Sequence, residues 1–287
     1  MPRIAYVNGR YVRHAIAAVH IEDRGYQFAD GVYEVCEIAS GYIVDMPRHL
    51  DRLARSLKEL SIGWPVHRNA LMLILREVVR RNGVVDGLVY VQVTRGVASR
   101  DFPFPEGVRP ALVVTARKVP AGTQARRAET GIKVVTMPDN RWERVDIKSV
   151  GLLPNVLAKQ KAKEAGAQEA WFVDDDGMVT EGGSSNAWIV TSDGVLVTRP
   201  AEHGILRGIT RTTLFDVVAK LGMKVEERRF TVEEAKSARE AFISSATTIA
   251  MPVVEIDGQP VANGHPGSIV LSLRRAFFDI AEKTKAC

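Results

Sequence analysis

The chain has 287 residues, 46% of them hydrophobic and 25% charged, proportions of an ordinary globular protein that exclude collagen-like, coiled-coil and low-complexity chains. Two cysteines, Cys36 and Cys287, are too few for a disulfide framework or a four-cysteine metal site. Thirty-nine basic against 34 acidic residues leave a formal net charge of +5, which fits nucleic acid, acidic small molecules or a basic background, so the distribution of charge must decide. No apolar run reaches the roughly 20 residues of a membrane span, and Met-Pro-Arg-Ile opens no signal peptide; a cytoplasmic protein without membrane contact is expected.

The length suggests two domains. Asn8-Gly9, between Ile4–Val7 and Tyr11–Val12, predicts a tight hairpin. Strands over Val32–Ala39 and Tyr42–Val44 should turn at Ser40-Gly41. A helix over 47–61 begins at Pro47 and aligns Leu50, Leu53, Leu57 and Leu60 on one face. A second, over 68–82, stops at Gly83, and strands follow at 88–95 and 111–117. Residues 118–130 lack apolar periodicity and predict a hinge. The expected division is an N-terminal domain over 1–118, a linker over 119–130 and a C-terminal domain over 131–287 that carries Lys148. In that second part strands are expected at 132–137, 169–174, 187–191, 195–198, 241–244 and 252–256, with helices near 155–165, 210–222 and 267–284. Runs of adjacent strands with helices between them, without strict βαβ alternation, indicate an α+β class.

Several segments carry candidate chemistry. Lys148 follows Arg144-Val-Asp-Ile; burial favours the uncharged, nucleophilic form of an amine, although on spacing alone a solvated lysine is the plainer reading. Val179-Thr-Glu-Gly-Gly-Ser-Ser-Asn is a polar, glycine-rich turn whose Glu181 is suited to pairing with a protonated heterocyclic nitrogen. In Gly204-Ile-Leu-Arg-Gly-Ile-Thr-Arg, Thr210 reads as a helix N-cap, and with Ile209 it would offer donors to a phosphate. Phe242-Ile-Ser-Ser-Ala-Thr-Thr ends a strand in hydroxyl residues. Asp174-Asp-Asp-Gly reads as a β-turn rather than a calcium loop. His14, His20, His49, His67, His203 and His265 are scattered, and no metal site is expected. The clusters Arg80-Arg81, Arg126-Arg127 and Arg228-Arg229 are interleaved with acids, so no nucleic-acid partner is expected.

Together these segments resemble the pyridoxal-phosphate (PLP) enzymes of the branched-chain and D-amino-acid aminotransferase fold, the two-domain α+β PLP fold type IV. The resemblance runs nearly the length of the chain, through Glu22-Asp-Arg-Gly-Tyr-Gln-Phe-Ala-Asp-Gly-Val-Tyr-Glu, His49-Leu-Asp-Arg-Leu, Val93-Thr-Arg-Gly, Asp146-Ile-Lys-Ser, Asn155-Val-Leu-Ala-Lys-Gln, Thr180-Glu-Gly, Gly208-Ile-Thr-Arg and Ser244-Ser, in the family's order. Val32-Tyr33-Glu34 and Arg144-Val-Asp-Ile-Lys-Ser are most similar to D-amino acid aminotransferases. The resemblance implies that Lys148 holds PLP and shuttles the substrate proton, and that Glu181 pairs with the pyridinium nitrogen. It implies that Leu206 packs on the ring, and that Arg52, Ile209, Thr210 and Thr247 bind the phosphate. Tyr33 and Arg100 would bind the substrate carboxylate, Arg100 from a neighbouring subunit, which implies a homodimer. Phe102 stands where D-specific members carry a histidine, and an unreplaced donor costs on the order of 1–3 kcal/mol. The implied reaction moves the amino group of a D-amino acid such as D-alanine to pyruvate or 2-oxoglutarate by a ping-pong mechanism. A branched-chain L-amino acid transaminase, an (R)-amine transaminase and an aminodeoxychorismate lyase are the alternatives on the same fold.

Overall fold

The strands β1 (Ile4–Val7) and β2 (Arg10–Arg13) close on Asn8-Gly9, whose φ angles of 45° and 94° are those the predicted hairpin requires. This computed structural model describes residues 3–202 and 204–286; His203 and Cys287 lie outside them. Two units are distinguished, one of Met1–Ala121, Ile147–Gly151 and Glu282–Cys287, the other of Gly122–Asp146 and Leu152–Ala281.

In the first unit, α1 (Arg24–Phe28) starts at Asp23, whose Oδ1 accepts from the Gly25 N–H at 2.9 Å. β3 (Gly31–Ala39) and β4 (Tyr42–Val44) turn at Ser40-Gly41, as the sequence predicts. α2 (Met46–Glu59) buries Leu50, Leu53 and Leu57. α3 (Arg68–Asn82) ends at a left-handed Gly83. β5 (Gly87–Thr94) and β6 (Ala111–Lys118) complete an antiparallel run in the order β4-β3-β5-β6-β1-β2. From Val32 to Ile38 every second residue of β3 is buried, so Glu34 points to the opposite face from Tyr33.

The second unit begins with α4 (Thr123–Thr130), which occupies most of the stretch expected to be a linker. Only Ala128 of this helix is buried, so it lacks the apolar stripe by which a helix is read from sequence. The chain continues through β7 (Ile132–Pro138), α5 (Leu153–Glu164), β8 (Glu169–Val173), β9 (Val179–Gly182), β10 (Asn186–Val190) and β11 (Leu196–Thr198). Next come α6 (Ile209–Lys220), β12 (Val225–Glu227), α7 (Val232–Lys236), β13 (Glu240–Ser245), β14 (Ile249–Ile256), β15 (Gln259–Pro260) and α8 (Ser268–Ile280). The sheet runs β12-β11-β10-β13-β14-β7-β8-β9, with β15 on β14. Its β11–β12, β14–β7 and β7–β8 pairs are parallel and the others antiparallel. The Asp174–Gly177 run is a turn, with the Gly177 N–H donating to the Asp174 carbonyl at 2.9 Å.

Two segments depart from the linear division expected from sequence. The last predicted helix stops at Ile280, and β16 (Lys283–Lys285) pairs with β4 in the first unit. Ile147–Gly151 also belongs to the first unit, so Lys148 lies there and not in the C-terminal part. Ile147 is buried in the first unit's core, the Tyr33 N–H donates to the Lys148 carbonyl at 3.0 Å, and the Val150 N–H donates to the Gly31 carbonyl at 3.0 Å. A five-residue return cannot be read from composition or periodicity. Among the described residues no helix is long and apolar enough to cross a membrane, and no group of His, Cys, Asp and Glu is placed to hold a metal ion.

Leu53→Ala, at a fully buried position of α2, should lower the unfolding free energy by about 2–5 kcal/mol. Leu73→Ala, on the exposed side of α3, should stay within about 0.5 kcal/mol of wild type. Urea denaturation of the two variants checks the contrast.

Candidate active site

In the first unit the Lys148 Nζ lies 3.2 Å from the Tyr33 Oη and 4.2 Å from the centre of its ring. The Lys148 N–H donates to the Ser56 Oγ at 3.3 Å, which ties the lysine backbone to α2. Tyr33 stacks on Tyr90 with ring centres 5.7 Å apart, and the Tyr90 hydroxyl donates to the Gln92 Oε1 at 2.6 Å. Burial, with the Tyr33 hydroxyl adding to it, pushes the Tyr90 phenol up to about 12, so it remains a neutral donor.

On the other face of β3, the buried Glu34 carboxylate accepts from the Arg52 Nε at 2.6 Å and Nη2 at 2.8 Å, and lies 2.7 Å from the His49 Nδ1. α2 presents His49 and Arg52 three residues apart on one face. Burial alone would raise the Glu34 carboxyl; the charge and hydrogen bonds of Arg52, joined by His49, outweigh it and hold the group well below the carboxylate range. Burial likewise opposes the Arg52 cation, and Glu34 more than offsets it. Arg52 therefore presents its Nε edge to Glu34, a partner the sequence reading did not assign.

Arg100 sits on the exposed connection between β5 and β6. Its guanidinium lies 4.9 Å from the Phe28 ring centre and 5.8 Å from that of Phe102. The two rings are themselves 5.5 Å apart.

In the second unit Glu181 lies buried at the end of β9. It accepts from the Leu206 N–H at 3.0 Å and from the Asn186 Nδ2 at 3.2 Å, and it pairs with the Arg141 Nη1. Arg141 also grips Asp139 through Nε at 2.8 Å and Nη2 at 2.7 Å, and the Thr180 hydroxyl donates to the same carboxylate at 2.7 Å. Burial would suppress the Arg141 cation, but its bonds to Asp139 and the charges of Glu181 and Asp139 push its pKa above the ordinary value. The neighbouring turn is fixed by Glu169, which accepts from the Ser184 and Ser185 hydroxyls at 3.0 and 3.1 Å.

The expected N-cap is shifted. Gly208 caps α6, and Thr210 lies inside its first turn with Ile209. A Cβ at 208 would meet the Asn186 Oδ1 at 2.1 Å, so a side chain there would force the Asn186 amide, which bonds to Glu181 and the Leu206 carbonyl, to move. Thr247 lies between β13 and β14, with its Oγ1 3.3 Å from the Ser245 Oγ.

The first unit thus brings Lys148 to Tyr33, and the second brings Glu181 to the Leu206 backbone. Asp139, Arg141, Glu34 and His49 were missed as partners. The signal available for Arg141 was a charged Asp139-Asn-Arg141 run directly after a strand.

Within the first unit an amine beside a phenol and a buried guanidinium, and within the second a buried carboxylate fastened by an arginine and an open helix start, are groups of the kinds that a phosphorylated aldehyde cofactor with a ring nitrogen takes. These residues fit PLP. The family model described as amino-transferase class IV matches residues 31–256, and the chain belongs to this family of PLP-dependent enzymes. It is 41% identical over 270 residues to the D-alanine aminotransferase of Bacillus licheniformis, covering 94% of each chain. It is 42% identical over 288 residues to that of Listeria monocytogenes serotype 1/2a, covering 98% of this chain and 96% of that one. Its fold is shared with the Escherichia coli branched-chain amino acid aminotransferase at a TM-score of 0.89 and 26% identity, covering 98% of this chain and 95% of that chain. The branched-chain aminotransferase of the archaeon Thermoproteus uzoniensis, solved with norvaline, matches at a TM-score of 0.86 and 25% identity, covering 99% of each chain.

Glu34→Ala would strip buried Arg52 of its counter-charge and His49 of a hydrogen-bond partner, and lower stability by about 3–5 kcal/mol at pH 7. The folded carboxyl titrates below its unfolded value of about 4.3. Its contribution is therefore complete above that value and is lost as pH falls toward the folded pKa. Urea melts of wild type and variant should converge as the pH is lowered.

Proposed function

We propose that this chain is a PLP-dependent transaminase that moves the amino group of a D-amino acid such as D-alanine to a 2-oxo acid, pyruvate or 2-oxoglutarate, by a ping-pong mechanism. The observation that carries this reading is the Lys148 amine 3.2 Å from the Tyr33 hydroxyl in a chain 41–42% identical to D-alanine aminotransferases. The branched-chain reading has support from solved structures of the same fold, at 25–26% identity.

When bound, PLP supplies an electron sink for the negative charge that develops at the substrate Cα. Lys148 would hold the cofactor through its aldehyde carbon and, with its amine free, would carry the substrate proton at Nζ from Cα to the cofactor's C4′. Tyr33 orients the Lys148 amine through its hydroxyl and would share the substrate carboxylate with Arg100. Glu181, held by Arg141, Asn186 and the Leu206 N–H, would keep a proton on the cofactor's ring nitrogen, and the Leu206 side chain would pack on the ring. Arg52, Ile209, Thr210 and Thr247 bind the phosphate through a cation, hydroxyls and the helix start.

The active species in this reading is a cytoplasmic homodimer in which Arg100 serves the neighbouring subunit. Its support is the exposure of Ile16, Ile21, Tyr26, Phe102 and Phe104, apolar side chains of the Arg100 loop and of the segment that Arg24 joins to it. Sedimentation should give twice the chain mass of 31.6 kDa.

The visible absorption of the purified protein should bleach on adding D-alanine and recover with 2-oxoglutarate. Lys148→Ala should lose about 10²–10⁴-fold in turnover. Bleaching by L-leucine and not by D-alanine would replace this reading with the branched-chain one.

A further inference from the structure

Arg24 is a buried residue on a five-residue helix, and nothing in the chemistry described so far uses it. Its Nη1 donates to the Asp101 carbonyl at 2.5 Å and its Nη2 to the Phe102 carbonyl at 3.2 Å, while its Nε bonds to the Asp30 Oδ2 at 2.8 Å. The guanidinium thus joins the main chain on the C-terminal side of Arg100 to a fixed carboxylate. Asp30 is fixed in turn by Arg95, which donates to it through Nε at 2.7 Å and Nη2 at 3.0 Å. The Arg95 Nη2 also reaches the Leu60 carbonyl at 2.7 Å, and its guanidinium carries the Phe104 ring 3.6 Å away. Phe28, at the end of α1, lies under both Arg24 and Arg100, with ring-centre distances of 4.7 and 4.9 Å.

A connection between strands that lacks regular hydrogen bonds depends on side chains to choose among its conformations. Three donors on one rigid planar group fix a position that a single bond leaves free to pivot. Here the fixed point falls at the Asp101 and Phe102 carbonyls, one and two residues beyond Arg100, and Phe28 supplies a face against the Arg100 side chain.

We propose that Arg24 is the positioning residue of the Arg100 loop: through the Asp101 and Phe102 carbonyls it sets where the Arg100 guanidinium stands, and so sets the affinity for the substrate carboxylate. This rests on the reading of Arg100 as the carboxylate ligand.

The test uses the holoenzyme and the variants Arg24→Lys, Arg24→Met and Arg100→Ala. Arg24→Met should raise the KM for D-alanine by about 10- to 100-fold, the size of effect expected when a binding group is displaced by an ångström or so. Its kcat should stay within about threefold and its visible absorption should match wild type, because the cofactor residues are untouched. Arg24→Lys keeps the charge beside Asp30 but cannot span both carbonyls, and should fall between the two. Trypsin cleavage after Arg100, which needs no substrate, should be several-fold faster in both Arg24 variants. Should Arg24→Met fail to fold, Arg24→Lys decides alone. An unchanged KM and an unchanged cleavage rate in the Lys variant overturn the proposal. So does a fall in kcat, cofactor content and thermal stability together, with KM unmoved, which marks a purely structural arginine. If Arg100→Ala raises KM while the Arg24 variants do not, the positioning role alone fails. If Arg100→Ala leaves KM unchanged, it is the reading of Arg100 that fails.

Discussion

The hydrogen bonds that fasten Ile147–Gly151 to β3, from the Tyr33 N–H to the Lys148 carbonyl and from the Val150 N–H to the Gly31 carbonyl, are the constraint on which the rest depends. A lysine amine ends a flexible four-carbon stem, so only a fixed backbone can hold it within reach of one hydroxyl. The same strand supplies that hydroxyl on Tyr33, and by alternation it turns Glu34 to the opposite face, where Arg52 and His49 wait on α2. Moving the register of β3 by one residue would exchange the two faces and lose both arrangements.

Three buried arginines recur around the functional side chains: Arg24 on Asp30, Arg52 on Glu34, and Arg141 on Asp139 and Glu181. Such pairs are weak contributors to stability, since desolvation consumes most of the attraction and apolar replacements are often neutral or better. Geometry explains them more directly. A guanidinium offers five donors in one plane, so while one edge meets a carboxylate the others can hold a second group. Arg24 holds two carbonyls in this way, and Arg141 holds Glu181. The pairing also keeps both partners charged: burial pulls the Asp139 carboxyl up, and the bonds and charge of Arg141 bring it below its ordinary value.

Much of this was legible because local chemistry and the final structure agree. α2 carries its leucines on one stripe, Asn8-Gly9 and Ser40-Gly41 take positive φ, and Gly83 ends α3 in the left-handed region. The elements that escaped have no such signal. α1 spans five residues, α4 buries one alanine, and β12 and β16 have three residues each; they exist because neighbouring strands or helices supply partners, and tertiary context of that kind leaves no periodic trace. The site divides the same way. Lys148, Glu181, Arg52 and Arg100 stand in motifs, but the ion-pair partners of Arg52 and Glu181, which are Glu34 and Arg141, come from distant positions. The cap expected at Thr210 lies two residues earlier, at Gly208, which fits against Asn186; threonine and glycine cap about equally well, so propensity does not choose between them.

Phe102 shows how one substitution can move an interaction from the substrate to the protein. On the proposed reading, a histidine in that place would add a donor acting only when a carboxylate is bound, worth about 1–3 kcal/mol. A phenylalanine adds a ring face to the Arg100 guanidinium, 5.8 Å away, and an exposed contact of that kind is worth about 0.5–1 kcal/mol. The second term acts in the free enzyme as well as in the complex, so it narrows the positions open to Arg100 without replacing the lost donor. On that reading the net effect would be a weaker grip on the carboxylate by a more confined arginine, beside an apolar surface. On the same reading, such a site would depend less on the carboxylate and more on the rest of the substrate than one that keeps the histidine.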